Sequence, residues 1–356
     1  MTGRTALGPT IVVSGTGPTA EAVERALRGI AGVTVSRPEP AAAESGILDL
    51  LATADIDAVA FVAPVPDLGG AVKQTLLAGK HVLVSGPVGL AARQLTALES
   101  LARRRQRVLV FDTGDLGDER MAFVRKMTGG PQPMWRPRYL RSIRTGAHGL
   151  ATLDEMAVRD LATILSIASA RPRRVSAVAP RVDDESGAAE AAMVTIVFDG
   201  GPVARLDVSL VEPGLVEQIV VACEGRTIIL DALDARAPLR IEAAARHRGP
   251  RHGGQWSETI SEHPSCDPAD QLVRAAGIFV TAVRSRDAAA TNAGELASAA
   301  ALWERARESI ARGGDMVDVA SAGEASSPPP LTLIRGGGHG GGGAPVPELT
   351  VVSRIS

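Results

Sequence analysis

The chain has 356 residues, room for two hydrophobic cores, since a single core stops growing near about 250 to 300 residues. Hydrophobic residues make up 45% and charged residues 22%, which excludes a disordered chain, and no apolar run approaches the ~20 residues needed to span a bilayer. A formal net charge of -2 argues against a dedicated nucleic-acid binder, and Cys223 and Cys266, the only cysteines, exclude a disulfide framework. The opening MTGRTALGPTIVV has no secretory apolar region with a cleavage site, so the cytoplasm is the expected location.

Thr10 to Ser14 reads as a buried strand, and Gly15-Thr16-Gly17-Pro18-Thr19-Ala20 follows at once, opening a helix with Val23, Ala26, Leu27 and Ile30 on one face. In this strand, turn and helix context the pattern is G-x-G-x-x-A, a dinucleotide fingerprint. Gly15 permits the tight turn, Gly17 the close approach of a pyrophosphate, and Ala20 the packing of helix on strand. Backbone amides and the helix dipole favour an anion there. The second strand, Val33 to Ser36, ends in Ser36-Arg37, where an NAD-preferring site would carry an acidic residue. Serine and arginine suit a 2′-phosphate and lean the reading toward NADP over NAD. Arg37 reads equally as a solvated loop residue before Pro38.

Gly46 to Ala54 supplies a crossover helix. Ala58 to Val62 is a second buried strand, Asp67 to Ala78 is helix-like, and His81 to Val84 is a third strand, with Gly79 at the turn between them. The C-terminal ends of these parallel strands, Ala63-Pro64 and Ser85-Gly86-Pro87, fall on the sheet edge where ligands bind. An amphipathic helix from Ala91 to Arg105 and a strand from Val108 to Phe111 close the first domain, and Gly114 to Gly117 marks its boundary.

Beyond it, Arg136 to Arg144 alternates like a strand and Leu153 to Ala168 is helical. Strands follow at Val175 to Val178, Ala192 to Phe198, Val203 to Val211, Val216 to Cys223 and Thr227 to Leu230. The later ones are separated by Asp-Gly-Gly, Glu-Pro-Gly and Glu-Gly turns, which predict hairpins and an open antiparallel sheet. Helices are expected near Ala269 to Ser285 and within Asn292 to Gly314, with a short strand at Met316 to Val319. The tail from Ala320, with SSPPP and GGGHGGGG, has too few apolar groups to fold.

The segment A-P-x(11)-L-x-A-G-K-H-V-L-V-x-x-P, from Ala63 to Pro87, resembles the Gfo/Idh/MocA family of nicotinamide-dependent oxidoreductases. The resemblance extends from Thr10 to Val319. It implies an α/β fold: an N-terminal Rossmann doubly wound parallel sheet over residues 1–116 and a C-terminal α+β domain with an open antiparallel sheet over 117–319, followed by a Gly/Pro-rich tail over 320–356. It also implies NAD or NADP as cofactor, a small-molecule substrate, and homodimer or homotetramer contacts through the free face of the second sheet. Gly15, Thr16, Gly17, Pro18, Ser36, Arg37, Ala63, Pro64, Gly86 and Pro87 are the cofactor-site residues.

The chemistry departs from the family. Relatives usually write Glu-Lys-Pro where this chain writes Ser85-Gly86-Pro87, and their lysine moves a proton at the substrate; a glycine has no side chain for that work. Relatives also carry D-x-G-x-H-D on the second-domain helix facing the nicotinamide. Here Glu155 stands for the first Asp and Arg159 for the His, followed by Asp160. Arginine stays protonated and is no general base near neutral pH, although it binds anions bidentately. Leu68 replaces a further histidine. Glu155 has two readings, a helix-face partner of Arg159 at i, i+4 and a substrate contact. His148, in a glycine-flanked loop, is the candidate replacement base, whereas His81 reads as a satisfied core residue. His247, His252, His263 and Cys266 fall in an arginine- and glycine-rich loop without zinc spacing, so no metal is expected. No G-x-S-x-G, H-E-x-x-H or Walker A sequence occurs. Three functions remain: a divergent NAD(P)-dependent oxidoreductase acting on a carbonyl, imine or sugar-like substrate, a catalytically inactive homologue that binds a dinucleotide or metabolite as a partner subunit or sensor, and a scaffold in which even the nucleotide site is vestigial.

Overall fold

The structure, a computed structural model, describes residues 8–37, 51, 55–129, 133–146, 151–180, 189–246, 256–264, 271–287 and 291–319. The expected Gly46 to Ala54 helix apart from Leu51, His148, His247, His252, Cys266 and the tail lie outside the described residues. Two compact units emerge. Among the described residues one runs to Asp118 and takes in residues 271–301, and the other runs from Glu119 to residue 264 and from Leu302 to residue 319.

The first unit is built on β1 (Thr10–Ser14), β2 (Thr34–Ser36), β3 (Ala58–Val62), β4 (His81–Ser85) and β5 (Leu109–Asp112). All pairings are parallel, in the order β2-β1-β3-β4-β5. Every residue of β3 and of β5 is buried, as expected for strands covered on both faces. Ile11, Val13, Ala58, Ala60, Val62, Leu83 and Val110 present one face to Val23, Ala26 and Leu27 of helix α1 (Gly17–Arg28). Phe279, Val280 and Val283 of a late helix join the same core. Helices α2 (Leu68–Leu77) and α3 (Ala92–Arg105) complete the crossovers. The edge strand β5 is finished by a side chain, because the Asn292 amide accepts from Phe111 N at 2.9 Å and donates to Phe111 O at 2.7 Å.

The second unit contains α4 (Glu119–Thr128), a helix not expected from the sequence, β6 (Pro137–Thr145), α5 (Leu153–Ala168), β7 (Pro172–Val178), β8 (Ala191–Phe198), β9 (Val203–Ser209), β10 (Val216–Cys223) and β11 (Arg226–Asp231). Strands β12 (Leu239–Arg246) and β13 (Trp256–Glu262) occupy part of the stretch expected to be a loop. Late helices α6 (Gln271–Ser285) and α7 (Ala293–Ala311) and the short β14 (Val317–Asp318) end the fold, α6 packing on α1 in the first unit.

The second sheet has nine strands in the order β13-β12-β11-β10-β6-β9-β8-β7-β14. It is mixed rather than wholly antiparallel, since β6 and β9 run parallel. Nor do β9 and β10 form the hairpin that Glu212-Pro213-Gly214 suggested; β6 lies between them. The connecting residues 210–215 are long enough to cross one strand, roughly 10 Å, so turn chemistry alone did not fix the pairing. On β8 the alternation is clean: Ala192, Val194, Ile196 and Phe198 are buried while Met193 and Thr195 are exposed. Among the described residues no helix is long and apolar enough to cross a membrane.

Candidate functional site

The C-terminal edge of the parallel sheet collects most of the residues singled out from sequence. In a sheet of this order the crevice opens where the winding reverses, between β1 and β3. Gly15 ends β1 there with φ +150°, and a Cβ on it would lie 2.9 Å from Val62 Cβ and 3.0 Å from Val62 O. Only glycine lets the turn pass so close to β3.

Thr16 is the N-cap of α1 in extended conformation, yet its side chain makes no capping hydrogen bond, and the first turn carries no acidic residue. Gly17 has φ +83° with open space where a Cβ would stand. Thr16, Gly17, Pro18 and Thr19 are all exposed. Among the described residues no side chain caps this turn, and the positive end of the helix faces solvent, an arrangement that suits an anion.

Further along the edge, Ala63 N donates to Ser85 O at 2.9 Å and Gly86 N donates to Asp112 O at 2.9 Å, so the ends of β3, β4 and β5 are tied in a row. Pro64 is exposed and Pro87 half-buried. Gly86 has φ +110°, and a Cβ there would stand 3.3 Å from Ala63 Cβ. At the position of the family lysine, then, the backbone itself has taken a glycine conformation.

The lysines do not compensate. Lys80 Nζ donates to Ile56 O at 2.7 Å, before the start of β3 and so at the opposite edge of the sheet, and Lys73 and Lys126 are exposed on α2 and α4. Leu68, in place of a histidine, is buried. His81 is half-buried on β4, where its Nδ1 accepts from Val108 N at 3.0 Å. Burial, then the charge of Arg107, lower its pKa to about 4, so it is a neutral structural acceptor.

Ser36 pairs with Val12 at the end of β2 and is exposed. Arg37 is not a solvated loop residue: its Nη2 donates to Gly15 O at 3.1 Å, and its Nη1 lies 3.6 Å from Glu24 Oε2. Glu24 had escaped notice in the sequence. Its one legible signal was Arg28 four residues on, whose Nη2 stands 2.7 Å from Glu24 Oε1.

In the second unit, Glu155 is the third residue of α5. Its Oε2 accepts from Thr152 N at 2.8 Å while its own N–H donates to Thr152 Oγ1 at 3.2 Å, a capping box. Its carboxylate therefore serves the helix start rather than Arg159. Arg159 Nη2 instead reaches Glu217 Oε1 on β10 at 2.8 Å. Arg144 completes the cluster, binding Asp160 and, at 2.9 Å, Glu217 Oε2. Burial opposes the Arg144 charge, but attraction and hydrogen bonding from Asp160, then Glu217, outweigh it and raise its pKa above the ordinary value. Two cations and two anions balance in this group. Among the described residues no cluster of three or more His, Cys, Asp or Glu could hold a metal ion. Cys223 is half-buried, and burial pushes its thiol up to about 11, away from the thiolate form that reacts.

The fold, a parallel-sheet unit and a second unit with a large mixed sheet, is the one that the Ala63 to Pro87 resemblance implied, and solved dehydrogenases share it. UDP-N-acetylglucosamine 3-dehydrogenase GnnA from Acidithiobacillus ferrooxidans matches at TM-score 0.67 and 22% identity, over 85% of this chain and 99% of that one. An inositol dehydrogenase homolog complexed with NAD+ from Azotobacter vinelandii matches at TM-score 0.69 and 14% identity, over 88% and 98%. GenD2 from gentamicin A biosynthesis, in complex with NAD, matches at TM-score 0.66 and 15% identity, over 90% and 98%. No protein-family model matches the sequence, and no curated protein does either.

Proposed function

We propose that this protein is a Gfo/Idh/MocA-type oxidoreductase that uses NAD or NADP for hydride transfer with a small carbonyl, imine or sugar-like substrate. The open glycine turn at the β1 and β3 switch point carries this reading, together with the fold it shares with dehydrogenases solved with NAD. Backbone amides of Thr16 to Ala20 would hold the diphosphate, with Ser36 and Arg37 toward the adenosine end. Ala63, Pro64, Gly86 and Pro87 would flank the nicotinamide end. Bound there, the cofactor supplies the hydride chemistry.

The chain's own contribution is binding and orientation more than proton transfer. Gly86 has no side chain, Glu155 is engaged in a helix cap, and Arg159 is ion-paired with Glu217. A substrate whose reduction asks little of an internal base, such as an imine, suits these residues better than an alcohol does, and Arg159 would serve as an anion-binding rather than a proton-moving group. His148 remains the one histidine to test as a replacement base, by His148→Ala. The same engaged groups favour a second reading, a catalytically silent dinucleotide-binding homologue acting as a subunit or sensor. Either form would be a cytoplasmic homo-oligomer. The face of the second sheet carrying exposed Tyr139, Met193 and Arg205 supports contacts between copies.

Titration of the purified protein with NADH and NADPH, followed by turnover assays on carbonyl, imine and sugar panels, separates the readings. Binding with turnover supports the enzyme, and binding without turnover on any panel supports the silent homologue. Absence of binding by both nucleotides sinks the two together.

A further inference from the structure

The C-terminal edge of the first sheet carries two buried polar side chains. Among the described residues of the first unit, those buried and polar are Glu24, Thr75, Ser85, Asp112 and Asp118, and only Ser85 and Asp112 stand on the sheet. They are the last residues of β4 and β5 and pair with each other in register. Register also places them in one row with Val62 of β3, which meets Gly15 at the glycine turn. Strands lie about 4.8 Å apart, so Ser85 and Asp112 stand about 10 and 14 Å across the sheet from β1. Burial of a polar group is costly unless it is hydrogen-bonded. Asp112 Oδ1 accepts from Gly114 N at 3.0 Å, and the Asp112 carbonyl accepts from Gly86 N at 2.9 Å, so the turn after β5 is tied to the residue after β4. A carboxylate offers about four lone-pair positions, and a serine hydroxyl both donates and accepts.

We infer that Ser85 and Asp112 form a recognition pair for a primary carboxamide, the polar substituent of a nicotinamide ring, with the Asp112 carboxylate accepting from its NH2 group and the Ser85 hydroxyl donating to its oxygen. The inference rests on the dinucleotide reading above and deepens it. A dinucleotide held by its diphosphate at the glycine turn extends one half to each side of the switch point. The half that carries nicotinamide passes the ends of β3, β4 and β5, where Pro64 and Pro87 have no polar side chain and Gly86 has none at all. A carboxamide needs both an acceptor and a donor. Ser85 and Asp112 are adjacent side chains on those strand ends that supply them. Selectivity follows, because a ligand without the N–H hydrogens leaves the carboxylate desolvated and short of a bond.

The test is calorimetric titration of the full-length protein with three ligands, each also run as its 2′-phosphate: NADH, its reduced 3-acetylpyridine analogue, in which a methyl ketone replaces the carboxamide, and ADP-ribose, which has no ring. Wild type is expected to bind NADH about tenfold more tightly than the acetylpyridine analogue, the worth of one charge-assisted hydrogen bond. Asp112→Ala should weaken NADH about tenfold and the analogue less than about threefold, so that the two bind alike. Asp112→Asn keeps an acceptor for Gly114 N and guards against loss of the turn; it should level the two in the same way. Ser85→Ala should weaken NADH and the analogue alike, by about threefold, because both present a carbonyl oxygen. ADP-ribose should be unmoved by Asp112→Asn and by Ser85→Ala. Equal wild-type affinity for NADH and the analogue overturns the inference. So does an Asp112→Asn variant that keeps the wild-type preference, or one that loses NADH, analogue and ADP-ribose by the same factor, which would make the carboxylate a tie for the turn alone. Failure of wild type to bind any of the ligands is a distinct result that removes the dinucleotide reading itself, and this inference with it.

Discussion

Arg144 Nε lies 2.9 Å from both carboxylate oxygens of Asp160, and its Nη2 lies 2.8 Å from Oδ1, with both residues buried. Asp160 lies on α5 and Arg144 on β6, so the bond ties helix to sheet and makes Asp160 a structural ion. Removing one partner strands a buried charge, so Arg144→Met should cost about 3 to 5 kcal/mol in denaturant unfolding. Adding Asp160→Leu should recover most of that loss, since an apolar pair needs no desolvation. Equal instability of the double variant would contradict the assignment.

Restoring the family lysine should not restore chemistry. Gly86 sits at φ +110° with Ala63 3.3 Å from where a Cβ would stand, so Gly86→Lys is expected to lose about 1 to 3 kcal/mol of stability. It should also gain no turnover, because the backbone must move before the amine points anywhere useful. A stable, more active Gly86→Lys would show that the edge relaxes more readily than this geometry implies.

His81 makes stability depend on pH. Its folded pKa is near 4, below the ordinary value of 6.5, because burial and Arg107 disfavour its charged form. Between these values the unfolded chain binds the proton and the folded one does not. The contribution is therefore complete above about pH 6.5 and is lost as pH falls toward 4, by about 1 to 3 kcal/mol given the partial exposure of the ring. Urea melts from pH 7 to 4 should show this slope, and His81→Gln should flatten it.

Asn292 closes the edge of the first sheet as a strand would, through two bonds to Phe111. Asn292→Ala leaves both backbone groups of a buried residue without that partner, and about 2 kcal/mol should be lost. Hydrogen exchange at Phe111 should rise more than at Val84 on the interior strand β4; uniform acceleration would mean that Asn292 acts on the whole unit rather than on this edge.

The strands Thr10–Ser14 and Ala58–Val62 and the helix Leu153–Ala168 lie where their apolar patterns put them, because local burial on a regular element leaves a period that can be counted. Strands β12 and β13 were missed because the stretch between Leu239 and His263 is rich in arginine and glycine, and their pairing depends on neighbours distant in the chain. The parallel β6 and β9 pair escaped for the same reason: turn residues specify a hairpin only when the two strands beside the turn choose each other.

The sequence by itself determined the glycine turn, the parallel strands and the replacement of lysine by Gly86, since backbone freedom, hydrophobic period and side-chain chemistry are properties of single residues and short windows. Tertiary structure alone decided what the charged groups do. Glu155 became a cap, Arg159 turned to Glu217, and Arg37 was drawn to Gly15 and Glu24, because a charge is satisfied by whichever opposite group the fold brings within a few ångströms, and that distance is written nowhere in the order of the residues.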